Sequence, residues 1–234
     1  MCELVAILAP LGFIMGSLAI TGVAHSFARE IVWLAGDNLV FLLMLGAVAS
    51  GILGMGMPIT ACYIILAIIL APAIVQIGIL PLAAHLYVLY WGLISYITPP
   101  VAVAAFIGAG IAGSPPMKTG FTAMRLGAIL YFIPFFFVLD PSLILAGTAS
   151  QFAIAFSTCV LGAIFIGSGL EGYLLRVGNV PMVARPFIVI SGVLLGLPWW
   201  QTDTVGICLA ALTVGGIILW SRRPSKTEIY EKDK

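Results

Sequence analysis

Apolar residues run along this chain in long segments that short polar or Gly/Pro-rich stretches separate. The longest apolar region, Asn38 to Met117, extends over 80 residues without one Asp, Glu, Lys or Arg. A charge-free region of this length is typical of a protein embedded in lipid. The pattern predicts helical segments over Val5–Ala24, Asn38–Gly54, Pro58–Leu80, His85–Ile97, Val101–Gly113, Phe121–Leu139, Ala149–Ile166, Phe187–Trp200 and Val205–Trp220. We therefore expect an all-α polytopic membrane protein.

Two breaks interrupt the charge-free region. The first break is the segment from Gly54 to Thr60, and the second is the segment from Ser95 to Pro100. Backbone that leaves its helical hydrogen bonds is costly in hydrocarbon and is tolerated only where protein or a water-filled cavity satisfies it. Two interrupted hydrophobic segments are the best sequence indication of a transporter's substrate and ion site. The alternative for each break is a kinked helix, since Gly and Pro are common in membrane helices.

The first break combines Gly54, Met55, Gly56, Met57 and Pro58, and Thr60 follows. The glycines permit unusual backbone angles, and the proline suits the first turn of a new helix. The pattern predicts a helix, a few extended residues and a second helix. The ending helix leaves carbonyls free, which with the Thr60 hydroxyl suit a small hard cation such as sodium. The starting helix leaves N–H groups free, which suit a carboxylate.

The second break contains Ser95, Thr98, Pro99 and Pro100. Two consecutive prolines remove two N–H donors, so carbonyls one turn earlier are expected to lose their partners. The hydroxyls of Ser95 and Thr98 lie beside that gap. Both breaks together therefore form the candidate sodium and substrate site.

Composition agrees with a membrane protein and offers no enzymatic machinery. The chain is 62% hydrophobic and 8% charged, with net charge +1, whereas a soluble domain is about 25% charged. Its four cysteines show no CxxC or Cys/His spacing, so no transition metal or cofactor is expected. Polar residues with weaker claims to a site role are His25, Gln76, His85 and Arg125.

Basic residues suggest an orientation for the C-terminal half. Arg222, Arg223 and Lys226 follow the last span, so the positive-inside rule predicts a cytoplasmic tail. Counting back places the Gly167–Pro186 and Ser114–Gly120 loops on the same side. We divide the chain into an N-terminal span and loop (1–37), a transport-site region (38–120), C-terminal helices (121–220) and a cytoplasmic tail (221–234).

The motif string around the breaks resembles the fused permease subunit of TRAP transporters, most nearly the branch served by TAXI-type solute receptors. The resemblance covers about residues 5–220 and is carried by Gly54-Met55-Gly56-Met57-Pro58, Thr60, Tyr63, Gly92-Leu93-Ile94-Ser95, Ile97-Thr98-Pro99-Pro100-Val101-Ala102, Ala109-Gly110-Ile111-Ala112-Gly113, Pro116-Met117-Lys118-Thr119-Gly120, Phe132-Ile133-Pro134-Phe135 and Asp140-Pro141.

The resemblance implies an elevator-type secondary transporter in the cytoplasmic (inner) membrane, with broken or re-entrant helices in two inverted repeats. It also implies sodium as the coupling ion and organic anions (carboxylates) delivered by an extracytoplasmic TAXI-type binding protein. Only one broken pair is found in this chain, so we expect it to supply one repeat and a partner to supply the first-repeat half.

Three other functions stay open from the sequence. A non-transporting membrane scaffold or fragment would share the fold, and would differ only in sodium-driven uptake. An intramembrane enzyme would have to use His25 or His85, for which the sequence offers no second catalytic group. A channel-like pore would need selectivity rings, which the sequence does not display.

Overall fold

The computed structural model describes residues 38–55 and 58–221, together with scattered positions between residues 13 and 36. The predicted span Val5–Ala24 therefore falls mostly outside the described residues, as do Gly56, Met57, His25 and the basic tail. Contacts divide the chain into two units, Met1–Ile144 and Leu145–Lys234.

The described part of the first unit is helical throughout. Its elements are α1 (Leu39–Gly54), α2 (Ile59–Ile69), α3 (Ala71–Gln76), α4 (Pro81–Ile94), α5 (Val103–Ala112), α6 (Pro116–Leu126), a 3₁₀ turn (Ala128–Tyr131), α7 (Ile133–Leu139) and a second 3₁₀ turn (Pro141–Ile144). The side chain of Asn38 accepts a hydrogen bond from the Phe41 N–H at 3.1 Å and caps α1. Prolines stand in the first turn of α3, α4, α6 and α7, where the missing N–H costs nothing.

Helix α4 is the centre of the first unit, since it packs against α1, α2, α3 and α7. Its residues Tyr87 and Val88 are fully buried with Leu42 and Leu43 of α1 and Leu66 of α2. The Tyr87 hydroxyl donates a hydrogen bond to the Leu43 carbonyl. A buried tyrosine needs such an acceptor, and this bond joins α1 to α4.

The second unit is a set of packed helices with one short hairpin. It consists of α8 (Ala149–Glu171), β1 (Tyr173–Leu174), β2 (Gly178–Asn179), α9 (Arg185–Leu195) and α10 (Trp200–Ser221). Thr148 and Gln151 form a capping box at the start of α8, and Gly172 ends that helix in the left-handed conformation. The two strands pair antiparallel, Tyr173 with Asn179.

Among the described residues, three helical stretches are long and apolar enough to cross a membrane: Ile59–Gln76, Ala149–Glu171 and Trp200–Ile218. The bent pair Pro116–Leu126 and Ala128–Leu139 passes the same test together. Exposed isoleucines, leucines and valines lie along Ala149–Glu171 and Trp200–Ile218, as expected for surfaces in contact with lipid. The all-α polytopic membrane fold is confirmed.

Three expected boundaries were wrong. Phe121–Leu139 is not one straight span, because the helix begins at Pro116 and bends by 66° between α6 and α7, where Gly127 ends α6 and a 3₁₀ turn follows. The Ser114–Gly120 loop is consequently short, since α6 already includes its second half. The Gly167–Pro186 loop is also shorter than expected, because α8 continues to Glu171 and the hairpin follows.

Helix α9 replaces the expected span Phe187–Trp200. It begins two residues earlier but ends at Leu195, and its 11 residues rise only about 16 Å. The hydrocarbon core is about 30 Å thick, so α9 cannot cross it unaided. The cytoplasmic position of the tail depends on this crossing and stays a prediction.

Glycines allow α8 and α9 to approach closely. A methyl carbon added at Gly162 would lie 2.6 Å from the Gly192 carbonyl oxygen, and one added at Gly192 would lie 2.6 Å from the Gly162 carbonyl oxygen. Such small-residue contacts are a general means of helix association in membranes.

Gly162→Ala is therefore expected to destabilise the second unit by about 1–3 kcal/mol, the usual cost of overpacking. The measurement is the thermal unfolding midpoint of the purified chain in detergent. Gly167→Ala is the matched control on the same helix, because an added methyl there meets no atom within 4 Å. Equal midpoints for the two variants would contradict the close α8–α9 contact.

Candidate functional site

The described residues of the first break agree with the helix–extended–helix form that its glycines and proline predict. Helix α1 ends at Gly54, and Met55 takes an extended conformation (φ −72°, ψ 115°). Pro58 is also extended in its ψ angle (145°) and immediately precedes α2. Because α2 begins here, the N–H groups of its first turn have no acceptor within the helix. Gly56 and Met57 lie outside the described residues.

The second break separates α4 from α5 by a run of turns. Helix α4 ends at Ile94, the Pro99–Pro100 peptide is cis, and Ala102 takes a left-handed conformation (φ 32°) before α5 begins. The expectation of carbonyls left free one turn before the prolines is wrong. The Ser95 carbonyl accepts from the Thr98 N–H at 3.3 Å, and the Tyr96 carbonyl accepts from the Ala104 N–H at 3.1 Å.

The physical reason is that the chain tightens instead of continuing the helix. The N–H groups of Tyr96, Ile97 and Thr98 each donate to the carbonyl three residues earlier, at 3.1, 3.1 and 3.3 Å. Such 3₁₀-type bonds satisfy carbonyls at a helix end where a proline removes the usual donor. The oxygens that the second break offers most readily are therefore hydroxyls.

The two breaks meet at Gly54 and Ser95. The Ser95 hydroxyl lies 2.9 Å from the Gly54 carbonyl oxygen and 2.6 Å from the Gly92 carbonyl oxygen. Ser95 is only 3% exposed. A hydroxyl has one proton to donate, so it satisfies one of these two carbonyls at a time. This contact joins two segments that lie 41 residues apart in sequence.

The contact requires glycine at position 54. An added methyl carbon would lie 2.7 Å from the Ser95 hydroxyl oxygen and 2.9 Å from the Gly92 carbonyl oxygen. Both distances are shorter than a carbon can approach an oxygen without displacement. The sequence identified Gly54 by its conformational freedom, but the structure shows that close packing is the stronger requirement.

Thr98 is held between α4 and the 3₁₀ turn that follows α6. Its hydroxyl donates to the Ile94 carbonyl at 2.8 Å, and it also forms a hydrogen bond with the Tyr131 hydroxyl. The turn approaches the break closely, because a methyl carbon added at Gly127 would lie 2.7 Å from Ile97 Cδ1. The sequence analysis missed Tyr131 and Gly127. Gly127 and Pro134 stand on either side of the bend that brings Tyr131 next to Thr98.

The remaining predicted site residues take different positions. Pro99 is half-buried and Pro100 is exposed. The Pro99 ring packs against Gly120, where an added methyl carbon would lie 3.1 Å from Pro99 Cγ. Pro58 and Thr60 are exposed. Within the described residues, no hydrogen bond joins Thr60 to the second break. The structure thus brings Gly54 together with Ser95, while Thr98 stands one turn further along.

A further polar side chain lies in the same region. Ser50 is fully buried, and its hydroxyl has no hydrogen-bond partner within the described residues. It stands one helical turn before Gly54, on the same face of α1. No Gly or Pro marks this position, so the sequence analysis did not select it.

The polar residues set aside from the sequence lie elsewhere. His85 Nδ1 lies 3.1 Å from the Tyr63 hydroxyl, and this hydrogen bond joins α4 to α2. Gln76 is exposed at the end of α3, and Arg125 is exposed in the last turn of α6.

The site offers neutral oxygens instead of carboxylates. Within the described residues, no group of three His, Cys, Asp or Glu could hold a metal. The oxygens gathered at the breaks are the carbonyls of Gly54, Gly92 and Ile94 and the hydroxyls of Ser95 and Thr98. Hard oxygen ligands without charge suit a monovalent cation better than a transition metal.

Gly54→Ala is expected to disrupt the contact between the breaks and to lower stability by about 1–3 kcal/mol. Thermal unfolding of the purified chain measures the change. Gly51→Ala is the control on the same helix, because an added methyl there meets no atom within 4 Å. A midpoint for Gly54→Ala equal to that of the control would argue against the Gly54–Ser95 contact.

Comparison with known proteins gives one match. The family described as "Tripartite ATP-independent periplasmic transporter, DctM component" matches residues 1–152, which include both breaks and the Tyr131 turn. No curated protein and no solved structure matches this chain. Since the matched residues make up more than half of the chain, the protein belongs to the DctM component family of tripartite ATP-independent periplasmic transporters, the membrane permeases of TRAP systems.

Proposed function

We propose that this chain is a permease component of a sodium-coupled secondary transporter for organic anions, chiefly carboxylates, in the cytoplasmic (inner) membrane. The observation that carries the proposal is the meeting of the two breaks through Ser95 and the Gly54 carbonyl. It occurs inside a region of 80 residues without a charged side chain. Interrupted helices that meet in this way are typical of ion and substrate sites in secondary transporters.

Sodium is the coupling ion that fits these residues. The Gly54 carbonyl and the hydroxyls of Ser95 and Thr98 are neutral hard oxygens, whereas a proton relay uses Asp, Glu or His side chains. His85 is the one titratable group of that kind between residues 38 and 117. Its Nδ1 atom is hydrogen-bonded to Tyr63, and its position ten residues before Ser95 separates it from the second break by about 15 Å of helix.

A carboxylate fits the start of α2. The N–H groups of Ile59, Thr60 and Ala61 have no acceptor within the helix, and the helix dipole makes this end partly positive. Thr60 is exposed there, so its hydroxyl is accessible to a ligand. An anion at α2 and a cation at the neutral oxygens would compensate each other's charge, which makes their joint entry into a low-dielectric site less costly.

The partners follow from the family and from the single pair of breaks. A tripartite system includes an extracytoplasmic binding protein, which we propose to be of the TAXI type because of the motif string around the breaks. The complementary repeat is proposed to come from a first-repeat permease half. An elevator-type movement would then carry the site against a scaffold that both repeats build.

Thr98→Val tests the sodium site in a complete permease that contains this chain. A hydrogen bond to a charged group is worth about 1.5–3 kcal/mol, and a comparable loss would raise the sodium concentration for half-maximal uptake about tenfold or more. Pro99→Ala is expected to act in the same direction by allowing α4 to continue. Uptake is measured in proteoliposomes with the binding protein present, and membrane insertion is measured in parallel.

Thr213→Val is the matched control for Thr98→Val. The Thr213 hydroxyl also donates to the carbonyl four residues earlier, that of Leu209 at 2.8 Å, but it belongs to the second unit. Unchanged sodium dependence in both Thr98→Val and Pro99→Ala would reduce the second break to a structural kink.

The purified chain alone is expected not to concentrate substrate, whereas co-reconstitution with a first-repeat partner restores accumulation. One pair of breaks supplies part of the ligands, and an ion that is left partly coordinated stays in water because its dehydration is uncompensated. The assay is uptake into proteoliposomes under a sodium gradient. Accumulation by this chain alone would refute the need for a partner, and no accumulation with the partner would favour a non-transporting scaffold.

A further inference from the structure

Tyr131 is among the residues of this region that no feature of the sequence singled out. It ends the 3₁₀ turn Ala128–Tyr131, more than thirty positions after the second break. The bend between α6 and α7 brings its hydroxyl onto that of Thr98.

The two hydrogen bonds at Thr98 share a single hydroxyl proton. The Thr98 hydroxyl donates this proton to the Ile94 carbonyl at 2.8 Å. In that arrangement it acts toward Tyr131 only as an acceptor, and the tyrosine hydroxyl is the donor. One lone pair of the Thr98 oxygen accepts from Tyr131, and the second lone pair remains for a ligand.

The tyrosine ring is itself held in place. It packs edge-to-face against Trp91 of α4, with ring centroids 5.8 Å apart. Gly127, just before the turn that carries Tyr131, lies against Ile97 of the second break. A methyl carbon added at Gly127 would lie only 2.7 Å from Ile97 Cδ1. These contacts place the Tyr131 ring between α4 and the second break, with its hydroxyl against that of Thr98.

We propose that Tyr131 is a positioning residue of the transport site, which orients the Thr98 hydroxyl so that its remaining lone pair faces the coupling cation. This inference rests on the proposed function, because it takes Thr98 as a sodium ligand. Tyr131 does not itself contact the cation. Its contribution is to prevent the hydroxyl from turning its proton toward the ion.

The direct test is Tyr131→Phe, which keeps the ring and its packing on Trp91 but removes the donor. In the complete permease, the sodium concentration for half-maximal effect is expected to rise about 3- to 10-fold, as for the loss of one hydrogen bond. The maximal uptake rate should stay close to that of the wild type. Two readouts are used, namely sodium-dependent uptake and the sodium-dependent rise in unfolding temperature without substrate.

A double-mutant cycle distinguishes positioning of the Thr98 hydroxyl from a purely structural role of Tyr131. In a Thr98→Val background, Tyr131→Phe should have no further effect on the sodium dependence, because its target hydroxyl is gone. An equal shift in both backgrounds would overturn the proposal. Tyr90→Phe is the control, since the Tyr90 ring packs on Phe137 at 5.5 Å and its hydroxyl makes no hydrogen bond within the described residues.

The remaining outcomes are also decisive. If sodium has no effect on the wild-type permease, the proposed function fails and this inference fails with it. If sodium acts on the wild type and Tyr131→Phe has the same half-maximal concentration, the inference alone is overturned. If Tyr131→Phe does not fold, Tyr131→Leu decides, because leucine also removes the donor hydroxyl: a half-maximal sodium concentration raised about 3- to 10-fold supports the proposal, and the wild-type value overturns it.

Discussion

The constraint on which this structure depends is that no backbone polar group can stay unpaired in hydrocarbon. Both breaks release such groups, and the fold satisfies them in different ways. The second break tightens into 3₁₀-type turns, so that Tyr96, Ile97 and Thr98 donate to the carbonyls three residues earlier. The first break relies on its neighbour, because the Gly54 carbonyl accepts from the Ser95 hydroxyl. The two irregular segments are consequently coupled, because the end of the first break takes a hydrogen-bond donor from the second.

This coupling explains the packing around α4. The helix makes its hydrogen bonds to α1 at two levels, through the Tyr87 hydroxyl on the Leu43 carbonyl and through Ser95 on Gly54. Around the Tyr87–Leu43 hydrogen bond the helices are packed by large buried side chains, whereas the Ser95–Gly54 hydrogen bond requires glycine at position 54. The buried side chains around Tyr87 supply dispersion contacts, which suit a permanent contact. At Gly54, the absence of a side chain lets two backbone segments and the Ser95 hydroxyl approach closely, as the proposed site requires.

The sequence predicted the parts of the fold that depend on local chemistry. Helix α1 begins next to the predicted first residue, because the Asn38 side chain caps it through the Phe41 N–H, only three residues along the chain. The breaks were located for the same reason. Hydropathy could not reveal the 66° bend after Gly127, since a bent helix and a straight one have the same average polarity. Tyr131 was missed as a consequence, because its partner Thr98 is distant in sequence and only the bend brings them together.

The same limit applies to the oxygens of the site. Counting prolines predicted two orphaned carbonyls, but the chain had alternative donors that no count from sequence includes, such as the Ala104 N–H for the Tyr96 carbonyl. What remains available is set by hydroxyl protons, each of which can be donated once. Ser95 has two carbonyl acceptors within 2.9 Å and one proton for them. A cation that contacts the Gly54 carbonyl can therefore be accommodated by turning this proton to Gly92, so that the hydrogen bond between the breaks is exchanged for one within α4 and no donor is left unpaired.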